Sequence, residues 1–185
     1  MLIQPLTPPM TTLVFVYGTL KRGFFNHHIL ASSNYNEGAV SFASLARTVE
    51  CFPLFLDYYR IPYLVDRPGV GGRISGELWQ VDDPTLAALD ELEGVAKGRY
   101  SRMKIDVVVM TEDEDKQRRD DDNATREQVI KTAWFWALGD MREGTNIESR
   151  ALVSDYSMNL HEGFIPPGPD RDTSLWREWG GYELE

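Results

Sequence analysis

The 185-residue chain is short of the residue types that carry metal and disulfide chemistry. Cys51 is its one cysteine, which excludes an intramolecular disulfide and a cysteine-based zinc site. Its three histidines, His27, His28 and His161, do not suggest a structural metal. No apolar run approaches the ~18 residues of a membrane span. There is no Gly-x-Ser-x-Gly elbow, and Ser32, Ser33 and Ser44 have no histidine or acid at a recognisable spacing. Gly69, Gly71 and Gly72 precede a strand rather than a helix, which argues against a phosphate cradle. Positive charge is scarce too: 19 Lys and Arg face 29 Asp and Glu, for a net charge of −10. A nucleic-acid-binding face needs clustered basic residues, so none is expected. Pro5, Pro8 and Pro9, with no Lys or Arg before the first strand, do not make a secretory signal. The expectation is a cytoplasmic protein with no structural metal, no nucleic-acid partner and no membrane partner.

What is present fits one α+β domain. Hydrophobic residues make up 42% and charged residues 26%, ordinary for a globular chain. Strands are expected at 13–16, 38–47, 61–65, 74–81, 105–109 and 129–138, with a proline-interrupted edge or bend at 51–56. Asn26 is placed to cap a short helix, and Pro84 and Gly94 bracket another over 85–93, capped by Asp82 or Asp83. A further short helix is expected within 149–160. The pattern points to a small mixed or antiparallel sheet curled toward a β-barrel with flanking helices. The domain is expected to span 12–160, after a loose leader at 1–11. The polar block 112–126 is expected to be a solvated loop, and Trp176 and Trp179 to pin a tail, 161–185, onto the body.

Two features carry chemistry. The first is the loop after the opening strand, Tyr17-Gly18-Thr19-Leu20-Lys21-Arg22-Gly23. A glycine at its start lets the main chain approach a ligand, and its N–H groups have no obvious ladder partners. Such a loop can hold a carboxylate or a developing oxyanion; read more plainly, it is a strand-to-turn transition.

The second is a carboxylate. At about 100° per residue, Leu86, Leu89 and Leu92 form the apolar stripe of the 85–93 helix. Glu93 falls inside that stripe, Glu91 points to solvent and Asp90 sits on the flank. Burial, the negative helix C-terminus and Asp90 would all disfavour its ionisation and move it toward the range of a general base. The alternative is that the last turn frays and Glu93 reaches water.

The loop motif, followed by Asn26-His27 and Leu30, resembles the opening of the gamma-glutamyl cyclotransferase-like superfamily. Phe52-Pro53-Leu54, Ile61-Pro62-Tyr63-Leu64, Gly76-Glu77-Leu78-Trp79-Gln80-Val81 and Leu89-Asp90-Glu91-Leu92-Glu93 resemble, in order, blocks of its gamma-glutamylamine cyclotransferases. The likeness runs over residues 14–109, then thins to the strand at 134–137. It implies a mixed barrel, with a cavity between the loop and the acid-bearing helix. It also implies release of 5-oxoproline and a free amine, without metal, cofactor or covalent enzyme intermediate. By motif position Glu93 would be the catalytic acid–base. Tyr17, Gly18, Thr19, Leu20, Tyr63 and Tyr100 would bind the small gamma-glutamyl substrate, with Tyr63 where the nearest relatives often carry tryptophan. The other readings are the same reaction on gamma-glutamyl amino acids or another gamma-glutamylated small molecule, and a non-catalytic binding domain.

Overall fold

Both faces of the first strand, β1 (Thr12–Val16), are covered: Val14, Phe15 and Val16 are at most 2% exposed. That double burial is why the strand is an unbroken apolar run instead of an alternating one. The computed structural model describes residues 11–31, 40–111, 128–139, 147, 150–166 and 168. In it β1 belongs to a closed five-stranded barrel ordered β1, β5 (Gly72–Val81), β2 (Ser41–Phe52), β6 (Ser101–Met110) and β7 (Ile130–Ala137). Neighbours are antiparallel except at the closure, where Val14 of β1 meets Trp134 of β7 in parallel. A second, two-stranded sheet pairs β3 (Leu54–Leu56) with β4 (Pro62–Leu64). Three helices are described: α1 (His28–Ala31), α2 (Asp83–Glu93) and α3 (Met158–His161). The expected α+β barrel with flanking helices is the observed architecture.

Alternate residues of β1 feed two cores. Phe15 joins Ile74, Leu78, Val107 and Phe135, all from strands, inside the barrel. Val14 and Val16 face the other way, onto Leu89 of α2, Ile29 and Leu30 of α1, and Trp136. Asp82 caps α2 by accepting from Thr85 N at 3.0 Å, and Gly94 ends it in the left-handed conformation at φ 65°. The helix's place and both its ends were therefore readable from the sequence.

Three local expectations differ from what is found. The strand predicted to end near Arg47 continues as β2 to Phe52, and only Pro53, with no N–H to give a ladder, breaks it from β3. Asn26 lies inside a 3₁₀ turn and bonds Thr19 Oγ1 at 2.8 Å, so it ties the loop and caps no helix. Of the helix expected within 149–160, α3 alone is present among the described residues; Val153 instead bridges Leu54 as extended chain. Residues 1–10 of the leader, the acidic stretch 112–126, and Trp176 and Trp179 lie outside the described residues. No helix of the described residues is long and apolar enough to cross a membrane.

Gly76 lies on β5 beside the end of β1, next to the Val16–Glu77 pair. A Cβ there would overlap the Val16 carbonyl oxygen and come within 2.7 Å of the Phe15 ring, itself fully buried. Gly76→Ala is expected to destabilise the fold by about 1–3 kcal/mol, the usual cost of overpacking. A thermal melt should show this as a drop of roughly 2–4 °C per kcal/mol for a chain of this size.

Candidate active site

The loop after β1 is fastened by its carbonyls. Gly18 O accepts from Lys21 N at 3.1 Å, Thr19 O from Asn26 N at 2.9 Å, and Leu20 O from His27 Nδ1 at 3.1 Å. Glu77, 6% exposed on β5, grips the loop's far side. Its carboxylate accepts from Arg22 N and Arg22 Nε, both at 3.1 Å, and from Trp79 Nε1 at 3.0 Å. The N–H groups of Gly18, Thr19 and Leu20 make no hydrogen bond among the described residues. Three consecutive donors are thus held in place with their capacity unspent. Gly18 is required by close approach, since a Cβ would stand 2.7 Å from Pro62 Cγ.

A pocket of about 120 Å³ opens beside this loop, lined by Tyr17, Gly18, Thr19, Leu20, Glu93 and Tyr100, among others. The glycine loop and the inward carboxylate of α2 therefore share one cavity. Glu93 is partly buried, and loss of hydration raises its pKa from 4.5 to about 7, with the Arg99 guanidinium pulling the other way. Asp90 is not a cause of this shift. It accepts from Trp136 Nε1 and from Arg102, each at 2.9 Å, and so anchors α2 to β7 and β6.

Tyr17 donates to Trp136 O at 2.8 Å, and its phenol is held neutral well above 10 by burial first and by Glu93 second. Tyr100 is raised in the same way, by burial, then by Tyr63, Tyr17 and Glu93. Of the expected pocket tyrosines, Tyr63 is the exception: it is not among the lining residues. Pro62 takes the pocket-facing position of β4, and Tyr63, next along the strand, turns away. Its ring stacks on Tyr100 at 6.3 Å, and its hydroxyl donates to Asp57 Oδ2 at 3.4 Å. His28 also stays outside, while His27 serves the loop through Leu20 O.

Sequence reasoning missed Arg99, Trp136 and Phe164, all of which line the pocket. Arg99 follows Gly98, in the left-handed conformation at φ 67°, so the Gly-Arg-Tyr order was a usable sign that the chain turns back toward the helix end. No local signal marks Trp136 or Phe164, because strand pairing and the fold-back of the C-terminal segment bring them there.

A family model described as gamma-glutamyl cyclotransferase, AIG2-like, matches residues 14–155. The chain belongs to this family. Named relatives agree with it. A gamma-glutamylaminecyclotransferase of Rattus norvegicus is 39% identical over 98 residues, covering 52% of this chain and 64% of the relative. That of Homo sapiens is 43% identical over 82 residues, covering 44% of this chain and 52% of the relative. The chain thus spans little more than half the length of the curated relatives it matches. Among solved structures, the crystal structure of a Mus musculus AIG2-like protein superposes with a TM-score of 0.67 at 25% identity. That superposition covers 87% of this chain and 99% of the mouse chain. Within the family frame, the loop, Glu93 and Tyr100 fall inside the matched range, whereas Phe164 lies beyond its end at residue 155.

Proposed function

We propose that this chain is an enzyme that releases 5-oxoproline and a free amine from gamma-glutamylamines, such as gamma-glutamyl-ε-lysine. The observation that carries the reading is one pocket lined both by Gly18, Thr19 and Leu20, whose N–H groups are unspent among the described residues, and by a carboxyl poised near neutrality. The nucleophile belongs to the substrate, so the enzyme's task is to fold the glutamyl chain and hold it for ring closure. Glu93, as carboxylate, takes one proton from the glutamyl α-ammonium. The freed amine attacks the side-chain carbonyl carbon, forming the ring N–C bond and a tetrahedral oxyanion. The amides of Gly18, Thr19 and Leu20 stabilise that oxyanion. As the C–N bond to the amine breaks, Glu93 returns its proton to the departing nitrogen. The ring nitrogen, which formed its bond carrying two protons, gives one to the Glu93 carboxylate, which passes it to the released amine. Of the three ammonium protons, one stays on the lactam nitrogen and two leave with the amine as its ammonium.

Raising a carboxyl to about 7 suits this double role, because acid–base transfer is best near the working pH. Gamma-glutamyl amino acids are the second reading, favoured by Arg99, a pocket-lining cation of the kind that pairs with a carboxylate on a leaving amine. The test is a panel of gamma-glutamyl amines and gamma-glutamyl amino acids with 5-oxoproline detection. Turnover of the amines in preference is the expected result. Ligand binding without any 5-oxoproline would make this a binding domain.

A further inference from the structure

The acid-bearing helix and the glycine loop are tied to the same residue of the barrel wall. Trp136, 2% exposed on β7, is bonded in both directions. Its carbonyl accepts from the hydroxyl of Tyr17, the residue before Gly18, at 2.8 Å. Its indole Nε1 donates to Asp90 Oδ1 on α2 at 2.9 Å. Arg102, the cross-strand partner of Trp136 on β6, donates to the other oxygen, Asp90 Oδ2, at 2.9 Å. Paired residues of antiparallel strands present their side chains on one face, so the carboxylate is held against the wall from two strands at once.

The main chain of Asp90 works in the same turn: its carbonyl accepts from Gly94 N at the cap that follows Glu93. Beyond Asp90 burial gives out. Leu89 is fully buried, whereas none of Glu91, Leu92, Glu93 and Gly94 is buried. The turn that carries Glu93 therefore relies chiefly on the Asp90 carboxylate for its hold on the barrel. We infer that Asp90 is a positioning residue: through the Trp136 indole it sets where the Glu93 carboxyl stands relative to the amides of the glycine loop. This rests on the cyclotransferase reading and adds the group that aligns its acid–base. Asp90 is not among the residues that line the pocket, so it reaches the reaction through Glu93 and not by touching substrate. The tie on the loop side uses the Trp136 carbonyl, which a substitution at position 90 leaves in place. Loosening Asp90 thus lets the acid drift while the loop donors stay, and a misplacement of about 1 Å can cost about 10² in rate.

The test follows 5-oxoproline on the full chain, from the panel member with the highest turnover, gamma-glutamyl-ε-lysine on the present reading. Asp90→Ala should lower kcat by roughly 10–10²-fold with KM within about twofold of the parent. Trp136→Phe cuts the same bond from its other end, and the double variant should be no slower than the slower single, because losses within one bond do not add. Arg102→Met removes only a part-exposed ion pair and should keep kcat within about twofold. Adding Asp90→Asn to Arg102→Met leaves an oxygen for the indole, so kcat should hold although the carboxylate is gone. Where Asp90→Ala does not fold, Trp136→Phe against Asp90→Asn/Arg102→Met gives the same contrast. A rise in KM that accounts for the loss in Asp90→Ala, additive losses in the double variant, a slow Arg102→Met protein, or an Asp90→Asn/Arg102→Met protein as slow as Asp90→Ala would each overturn the inference while leaving the reaction standing. A parent protein that releases no 5-oxoproline from any member of the panel would remove the reaction itself, and the inference with it.

Discussion

Glu93→Gln is expected to lower kcat for 5-oxoproline release by about 10²–10⁴-fold, the usual worth of a positioned acid–base group. The amide keeps the shape and some hydrogen-bonding capacity but can take no proton from the substrate ammonium. In the parent, the acid limb of kcat/KM should have its midpoint near 7, where the buried carboxyl ionises, and Glu93→Gln should erase that limb. Arg99 holds the value down, so Arg99→Met should move the limb to higher pH. The same shift makes a stability statement of known sign. Glu93's native pKa lies above its unfolded value of 4.5, so the native state binds its proton more tightly. That contribution is fully present below about 4.5 and is lost as pH rises through about 7. Glu93→Gln should therefore melt above the parent at pH 8, and the two melts should converge near pH 4. A variant that is inactive, folded and more stable at high pH separates a chemical role from a structural one. Undiminished turnover would refute the role outright.

The sequence exposed the parts of this site whose causes are local. The wheel turned Glu93 inward because α2 has only one apolar stripe, and Leu89 at its centre is fully buried. The caps at Asp82 and Gly94 fixed both ends of the helix, so the register of the acid followed. Gly18 stood out because a backbone forced close to a neighbour leaves no room for a side chain. What stayed hidden depends on pairing across the barrel. Asp90 reads on the wheel as a second acid near Glu93, yet Trp136 and Arg102 engage it from strands dozens and a dozen residues away in the chain. Tyr63 belongs to the right block and still turns out of the cavity, because its face of β4 is set by the pairing with β3. Phe164 arrives through a chain of contacts from Asp155 to Ile165 that no period or motif encodes.

Gly18→Ala is expected to cost about 10²–10³ in kcat, the range seen when a main-chain oxyanion donor is lost, with a much smaller effect on stability. The added Cβ would stand 2.7 Å from Pro62 Cγ, so either the loop or the proline must give way. Pro62 is the more constrained of the two. It is buried, paired through Leu56 in the small sheet, and followed by Leu64, whose carbonyl accepts from Leu138 N at 2.9 Å. The bonds of Lys21, Asn26 and His27 to the loop's carbonyls stay within the loop and the 3₁₀ turn that follows it, so loop and turn can tilt together. Tilting them swings the three N–H groups as a unit, and donors aimed a fraction of an ångström off a developing oxyanion lose most of their effect. Glu93 sits on a different element, so the midpoint of the acid limb should not change. A Gly18→Ala protein with parental kcat would show that these amides do not hold the transition state. One with low kcat and a displaced acid limb would show that the substitution had reached Glu93 instead of the loop. Low kcat with the limb in place is the outcome the geometry requires.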